Sequence, residues 1–189
     1  MQVTASNLVH CLLLNSRSIC NKISDLDHLL STAEPSVVFI TETWLKPEML
    51  DNTLTCSGKY SVFRTDRKSG IGGGVCILCN DKAVKSIAIN IPEKYNSCEI
   101  VAIDIINSTI KLRAICCYRP PCSSVDLAVS YMSLFIECLN MLCNVDATIL
   151  LCGDFNLPNI SWQDGYPVLH STDVCCESFT GFINDNALS

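Results

Sequence analysis

Residues 148–156 read TILLCGDFN, an apolar run followed by a carboxylate and a carboxamide. The apolar run predicts a buried β-strand. Its polar ending lies at the carboxyl end of that strand, where α/β folds place their ligand sites. Asp154 and Asn156 are two positions apart, so on a pleated chain both side chains point the same way and could address one phosphate. The alternative interpretation is a simple turn, since Gly, Asp and Asn all favour turns.

Three other predicted strands end in the same manner. Each is apolar enough to be buried on both faces, and each ends in a group suited to a metal ion or a phosphate. Four such endings predict a shared rim at one end of an α/β fold. The three strands and their endings are residues 8–14 before Asn15, residues 37–40 before Thr41-Glu42, and residues 112–117 before Tyr118.

The rest of the chain alternates between strand and helix patterns. Residues 21–33 carry an apolar stripe at helical spacing. Ser124 is predicted to cap a helix over residues 125–143, and Thr172 to cap a final helix. Residues 157–171 are predicted to form a loop, and Asn107-Ser108 a tight turn between antiparallel strands. Further strands are predicted at residues 60–65, 75–78, 83–91, 98–106 and 109–117.

The chain contains 14 cysteines, most of them within apolar runs, where a free thiol behaves as a small hydrophobic group. Cys76 and Cys79 match the Cys-x-x-Cys spacing, but positions three apart on a strand face opposite sides. The cysteine doublets at 116–117 and 175–176 lack a second pair at zinc-finger spacing. We therefore expect reduced, mostly buried thiols in an intracellular protein.

Six motifs in order resemble the endonuclease/exonuclease/phosphatase superfamily. Within it, the sequence is most similar to the endonuclease domain of non-LTR (LINE-type) retrotransposons. The resemblance covers residues 7–189 as one domain. It implies a four-layer α/β sandwich with two mixed β-sheets flanked by helices. The motifs are Asn15-Ser16-Arg17-Ser18, Thr41-Glu42-Thr43-Trp44-Leu45, Arg64-Thr65-Asp66-Arg67, Gly72-Gly73-Gly74-Val75, Tyr118-Arg119-Pro120-Pro121 and Gly153-Asp154-Phe155-Asn156.

The resemblance implies a metal-dependent phosphodiesterase site. Glu42 would bind the metal, since a hard carboxylate suits Mg²⁺, which takes few protein ligands; Mn²⁺ is the alternative cofactor. Asn15 would complete the metal shell or orient the bound phosphate. Asp154 would orient or deprotonate the attacking water. Asn156 and Tyr118 would donate hydrogen bonds to the phosphate oxygens.

The 189 residues are 49% hydrophobic, which predicts one globular domain, and the net charge is −6. The acidic balance argues against a nonspecific nucleic-acid coat protein. It is compatible with a metal-dependent nuclease, which needs only a local basic stripe to hold phosphates. The arginines near motif positions are predicted to form that stripe: Arg17, Arg64, Arg67 and Arg119.

In the family, the site is completed near its carboxyl end by a further Asp and a Ser-Asp-His motif. No Ser-Asp-His occurs in this sequence. We therefore expect a domain that is incomplete at its carboxyl end, with the last strands of one sheet missing. Because active-site groups act as a unit, DNA cleavage is expected to be impaired.

The implied parental activity is Mg²⁺-dependent DNA nicking for target-primed reverse transcription. The expected partners are DNA, retroelement RNA and a downstream reverse transcriptase domain, in the nucleus. One alternative is a catalytically inactive retroelement remnant; another is a phosphoesterase acting on abasic DNA, phosphoinositides or lipids. No apolar run approaches the ~20 residues that span a bilayer, and no basic region precedes the first apolar run. Membrane insertion and secretion are therefore not expected.

Overall fold

A computed structural model describes residues 8–55, 58–106 and 111–188. In this part of the chain, two four-stranded sheets pack face to face. One helix covers the outer face of the first sheet, and two helices cover the outer face of the second. The predicted four-layer α/β sandwich with two mixed sheets is confirmed.

The first sheet has the strand order β1-β2-β4-β3. β1 and β2 are parallel, because helix α1 returns the chain to the starting edge between them. The other two pairings are antiparallel. The elements are β1 (Cys11–Asn15), α1 (Ile23–Ala33), β2 (Val37–Thr41), β3 (Tyr60–Thr65) and β4 (Val75–Asn80), with a 3₁₀ turn at Asp51–Thr53.

The second sheet has the order β5-β6-β7-β8. Its first three strands are antiparallel, and helix α2 connects β7 to a parallel β8. The predicted turn at Asn107-Ser108 lies outside the described residues. The elements are β5 (Lys85–Ala88), β6 (Glu99–Ile106), β7 (Lys111–Tyr118), α2 (Val125–Cys143) and β8 (Thr148–Asp154), with a 3₁₀ turn at Glu93–Tyr95.

The segment predicted as a loop at residues 157–171 contains a small antiparallel hairpin, so that prediction was wrong. The hairpin consists of β9 (Ile160–Gln163) and β10 (Tyr166–Leu169). The two strands are joined through Asp164-Gly165, both at positive φ. Asp-Gly is a strong hairpin signal because both residues tolerate left-handed backbone, and it could have been recognised in the sequence.

Both predicted helix caps need correction. Asp173, not Thr172, caps the last helix, α3 (Val174–Asp185), since its carboxylate accepts a hydrogen bond from the Cys176 N–H at 3.0 Å. An ionised carboxylate is the stronger acceptor for an unpaired helical N–H. Ser124 does occupy the cap position of α2, but its side chain makes no capping hydrogen bond.

Helix α2 is long and apolar enough, by length and composition, to cross a membrane. In the fold it lies against the second sheet. Its buried face includes Met132, Phe135 and Leu139, which pack with Ile115 of β7 and Phe179 of α3. The apolar character of α2 is therefore explained by this core, which receives side chains from β6, β7 and both helices.

The central strands are buried on both faces, and their side chains alternate between two cores. In β2, Phe39 packs between the sheets, while Ile40 packs toward α1. In β4, Cys79 lies between the sheets and Cys76 lies on the α1 side. The two cysteines therefore face opposite sides, as predicted, and cannot bind one metal ion together.

All cysteines in the described part of the chain are free, and most are buried, as predicted; Cys56 lies outside it. Burial raises the thiol pKa, because an apolar surrounding disfavours the thiolate. The pKa of Cys98 is raised to about 11, and burial likewise raises those of Cys79 and Cys138 to about 12. These thiols act as small hydrophobic core residues.

The raised thiol pKa values predict alkaline destabilisation. A folded thiol keeps its proton after the unfolded chain has lost it, so the stabilisation is complete below about pH 8.5 and is lost as the pH rises toward the folded pKa values. Each thiol that is protonated in the folded protein and ionised in the unfolded chain should lower the free energy of unfolding by about 1.4 kcal/mol per pH unit in that window. Urea denaturation under reducing conditions at pH 8 and pH 10 measures this; equal midpoints would contradict it.

Candidate active site

Four strands end on the same side of the sandwich. In the first sheet, the parallel register of β1 and β2 places Asn15 beside Thr41, directly before Glu42. In the second sheet, the parallel register of β7 and β8 places Tyr118 beside Asp154. Because the two sheets pack face to face, these carboxyl ends form the shared rim that the sequence predicted.

The side chain of Asn15 connects the two sheets at this rim. Its Nδ2 donates a hydrogen bond to Glu42 Oε1 at 3.1 Å and another to Asp154 Oδ2 at 3.0 Å. The two carboxylate oxygens therefore lie within two hydrogen-bond lengths of each other. Asn15 Oδ1 accepts from the backbone N–H of Arg17 at 3.2 Å, which fixes the amide plane. Asn15, Glu42 and Asp154 thus form one polar cluster.

Glu42 is in a left-handed backbone conformation, with φ of 52°. Such a conformation is unfavourable for a residue with a Cβ and persists only where neighbouring contacts enforce it. The carbonyl of Glu42 accepts from Ser18 N at 2.8 Å and from Ser16 Oγ at 2.9 Å. The chain after β1 therefore holds the chain after β2, and the carboxylate is aimed at the rim.

Asn156 lies beside Asp154, but its side chain is engaged elsewhere. Its backbone N–H donates to Asp154 Oδ1 at 3.2 Å, whereas its Nδ2 donates to the Arg119 carbonyl at 2.8 Å. Arg119 Nη1 in turn donates to the Asn156 carbonyl at 3.0 Å. This reciprocal pair braces the turn after β8, and Asn156 orients the Asp154 carboxylate through its backbone.

Tyr118 is 6% exposed, and the charged groups of Glu42, Asp154 and Arg67 lie near it. The guanidinium of Arg67 stands over its ring, 5.6 Å from the centroid. Burial raises the pKa of the Tyr118 phenol and the nearby Glu42 carboxylate raises it further, while Arg67 opposes the shift. Tyr118 is therefore a neutral hydroxyl donor at physiological pH.

Three of the four arginines predicted to hold nucleic acid are already engaged. Arg64 pairs with Asp51 at 2.8 Å and with Asp66 at 3.3 Å. Arg67 is paired with a glutamate on β6, and Arg119 is buried against the turn after β8. Arg17 alone among the four is exposed, directly beside the Asn15 cluster. Among these four arginines, Arg17 is the one that is free to meet a phosphate.

The polar cluster suits a hard divalent cation. Its two carboxylates are oxygen donors of the kind that Mg²⁺ takes, since this ion keeps several waters and needs one or two carboxylates, whereas the Asn15 amide turns its NH₂ group toward them. Within the described residues, no group of three or more His, Cys, Asp or Glu side chains converges on one point. Glu42 is the residue that would hold the ion; Asn15 lies beside it, with its Oδ1 engaged by the Arg17 N–H.

A cleft of about 550 Å³ opens between the amino-terminal ends of α2 and α3. Its lining includes Arg119 and Asn156 at the site end, and apolar residues such as Pro121 and Leu157 along the walls. The volume is within the range of small-ligand sites, roughly 300–1,000 Å³. The cleft reaches the turn after β8 through Asn156, but Asn15, Glu42, Tyr118 and Asp154 do not line it.

Sequence reasoning missed one charged residue that contacts the site. Glu99 begins β6, is 6% exposed, and pairs with Arg67 at 2.6 Å, 32 positions away in sequence. The available signal was a single glutamate at the start of an apolar strand, which normally implies a specific partner. The identity of that partner required the tertiary structure.

Residues 13–173 match the family model described as the Endonuclease/Exonuclease/phosphatase family. The match covers most of the chain, and the protein belongs to this family, whose members are metal-dependent phosphodiesterases and nucleases. No curated protein matches the sequence.

Several solved structures share the fold. The endonuclease domain of TRAS1, a telomere-specific non-LTR retrotransposon, has a TM-score of 0.63 and 14% identity, with 94% of this chain and 71% of that chain covered. The 3′ phosphatase NExo from Neisseria, bound to a product DNA hairpin, has a TM-score of 0.66 and 13% identity, with 94% and 71% covered. D. rerio TDP2 with a single-stranded DNA product has a TM-score of 0.56 and 18% identity. The chain covers 61% of the length of that TDP2, and 79% of this chain is matched.

The approach of β7 to β8 depends on Gly153, which precedes Asp154. Its φ is 150°, and a Cβ at this position would overlap the Cys117 carbonyl oxygen on the neighbouring strand. Gly153→Ala should therefore lower the free energy of unfolding by about 3 kcal/mol or more, at the upper end of ordinary point substitutions. Chemical denaturation with a two-state fit measures this loss.

The matched control is Gly181→Ala in α3, where an added Cβ meets nothing within 4 Å. Because alanine is the better helix former, this variant should gain about 0.5–1 kcal/mol. Equal effects of the two alanine substitutions would show that the contact between β7 and β8 does not require glycine.

Proposed function

We propose that this domain hydrolyses DNA phosphodiester bonds with Mg²⁺ and descends from a retrotransposon endonuclease that nicks DNA. The observation that carries the proposal is the joining of Glu42 and Asp154 by the amide of Asn15. Two carboxylates from different sheets are brought into one cluster, beside a neutral phenol and an exposed arginine. This combination matches the needs of phosphoryl hydrolysis: a cation site, an acceptor for a proton, and hydrogen-bond donors.

Each residue has a distinct task in this proposal. Glu42 would hold the cation, which when bound would supply Lewis-acid stabilisation of the phosphate charge. Asp154 accepts a proton from the attacking water, and its carboxylate is kept in place by the Asn15 amide and the Asn156 N–H. Tyr118 keeps its proton at neutral pH because its pKa is raised, so its hydroxyl can donate to a phosphate oxygen. Arg17 pairs with a neighbouring phosphate.

The retrotransposon origin rests on sequence motifs. Asn15-Ser16-Arg17-Ser18, Tyr118-Arg119-Pro120-Pro121 and residues 153–162 are typical of the non-LTR branch. The similarity to the TRAS1 endonuclease domain supports this assignment, although an AP endonuclease from Archaeoglobus fulgidus shares the fold to nearly the same degree, with a TM-score of 0.61. In the proposed role, the nick primes reverse transcription by an associated polymerase in the nucleus, with retroelement RNA as template.

The proposed chemistry predicts slow Mg²⁺-dependent relaxation of supercoiled plasmid, measured under single-turnover conditions with protein in excess over DNA, because the sequence lacks the family's Ser-Asp-His motif. Asp154→Asn should slow nicking by ~10²–10⁴-fold, the usual loss for a general base. Glu42→Gln should abolish Mg²⁺-dependent nicking, because the ion loses its charged ligand. Glu137→Gln is the control, since that exposed carboxylate on α2 pairs, among the residues that the structure describes, with Lys94 and Tyr95 of the turn opposite.

The outcomes separate the candidate functions. Nicking that survives chelation or Glu42→Gln would contradict the proposed site. DNA binding without any Mg²⁺-dependent cleavage would identify a catalytically inactive retroelement remnant. Cleavage confined to a duplex with a single abasic site, with intact plasmid untouched, would replace the retrotransposon assignment by a repair-type nuclease.

Arg17 should contribute to DNA affinity through charge alone. Arg17→Ala should weaken binding to any DNA sequence, and the slope of log K against log salt should fall by about 1, as for the loss of one phosphate contact. Fluorescence anisotropy with a labelled duplex at several salt concentrations measures this slope. Lys82→Ala serves as control, because this exposed lysine follows β4 at the other end of the sandwich. Equal slopes for Arg17→Ala and wild type would place the phosphate contact elsewhere.

A further inference from the structure

A buried ion pair lies behind the candidate active site. The Glu99 carboxylate, 6% exposed at the start of β6, accepts hydrogen bonds from Arg67 Nε at 2.6 Å and from the backbone N–H of Gly74. Burying a carboxylate is expensive unless it is paired and hydrogen-bonded. Both of its oxygens are engaged, one by each donor, so Glu99 binds two points of the segment between β3 and β4.

That segment is closed into a compact loop. Arg67 follows β3, and its Nη1 donates to the Ile71 carbonyl at 2.9 Å, while its Nε binds Glu99. Gly74 directly precedes β4 and donates to the other Glu99 oxygen. The glycine-rich turn is thus tied at both of its ends to a single carboxylate on the opposite sheet.

The same loop holds the residues that follow Glu42. The Thr43 N–H donates to the Gly74 carbonyl at 3.2 Å, and the Trp44 N–H donates to the Gly73 carbonyl at 2.9 Å. These bonds act on the two residues after Glu42, which itself has a left-handed φ of 52°. A chain of contacts therefore runs from Glu99 through the loop backbone to the strained residue that presents the metal-binding carboxylate.

The atoms along this series of contacts are closely packed. Gly73 and Gly74 have φ values of 71° and 84°, and a Cβ on Gly73 would collide with both Arg67 and Glu99. A Cβ on Gly74 would lie 2.5 Å from Thr43 Oγ1. Any displacement of Glu99 must therefore move the loop, and with it the backbone that fixes Glu42.

Glu99 also acts on the part of the site that contains Tyr118. It fixes the guanidinium of Arg67, which stands 5.6 Å from the ring centroid of Tyr118. Arg67 Nη2 is buried and has no hydrogen-bond partner among the described residues, so the ion pair with Glu99 is the charged contact that anchors this group. The Glu99 carboxylate thus orients both the segment that contains Glu42 and the Arg67 guanidinium above the Tyr118 ring.

We infer that Glu99 is a positioning residue for the divalent-cation site: through Arg67 and the Gly73-Gly74 backbone it holds Glu42 in its ligating conformation. This inference rests on the proposed role of Glu42 as the metal ligand. Outer-shell partners of metal ligands typically contribute 10–100-fold in metal affinity. Glu99 would act in this way without touching the ion or the substrate.

The test uses Tb³⁺ as a probe of the cation site, with luminescence sensitised through Trp44, two positions after Glu42. Glu99→Gln preserves shape and an acceptor for Gly74 but leaves Arg67 without its counter-charge. The dissociation constant for Tb³⁺ should rise by about tenfold, at the lower end of the range for outer-shell partners. Thermal unfolding of each variant is recorded in parallel without metal.

Asp104→Asn is the matched control, because it removes the carboxylate of another half-buried pair from the same strand, bonded to Arg113 at 2.8 Å. Its thermal stability should fall like that of Glu99→Gln, while its Tb³⁺ affinity stays at the wild-type value. If Glu99→Gln does not fold, Arg67→Lys replaces it: this variant keeps the charge but loses the bond to Ile71, and it should weaken Tb³⁺ binding several-fold.

Unchanged Tb³⁺ affinity in Glu99→Gln, or an equal loss in Asp104→Asn, would overturn the positioning role and leave the proposed function intact. The variant Glu42→Gln separates a failure of this inference from a failure of the proposed function. Loss of Tb³⁺ binding in Glu42→Gln is the expected result. Wild-type binding by Glu42→Gln would overturn the proposed cation site and this inference together.

Discussion

The amide of Asn15 is the contact on which the site depends. It hydrogen-bonds to a carboxylate from its own sheet and to another from the opposite sheet, Glu42 and Asp154. Two like charges in one cluster repel each other, and a neutral donor between them offsets only part of that repulsion. Such a cluster is stabilised further by a cation. The arrangement of the two sheets therefore concentrates negative charge at the rim, where a cation would be stabilising.

Two residues at this rim have backbone conformations that are unfavourable in isolation. Glu42 and Asn156 both have left-handed backbone, and each such residue costs on the order of 1–3 kcal/mol. The surrounding hydrogen bonds, from the chain after β1 and from the glycine-rich turn, offset this cost. This strain lies in the turns where carboxylates are presented; β2, which precedes Glu42, is buried on both faces, whereas β8, which precedes Asn156, is an edge strand that is only partly buried.

The positions of the strands followed well from local pattern. β2, β3, β4, β6, β7 and β8 begin or end within a few residues of the predicted limits; β2 and β4 are apolar runs buried on both faces, whereas β3 and β8 are only partly buried. The hairpin at β9 and β10 was missed because its strands are short and largely exposed, so its alternation is weak. The cap of α3 was misplaced by one residue because Thr172 and Asp173 are both good caps, and only the observed hydrogen bond distinguishes them.

By itself the sequence determined most of the strands and the convergence of Asn15, Glu42 and Asp154 through its apolar runs and their polar endings, and the fold class through its resemblance to a family; the hairpin of β9 and β10 it did not reveal. Tertiary structure alone decided which charges are free and which are engaged. Arg64, Arg67 and Arg119 look like phosphate-binding residues in the sequence, yet each has a partner inside the protein. The physical reason is that an ion pair depends on the distance between groups far apart in the chain, such as Arg67 and Glu99. Periodicity and local motif cannot encode that distance.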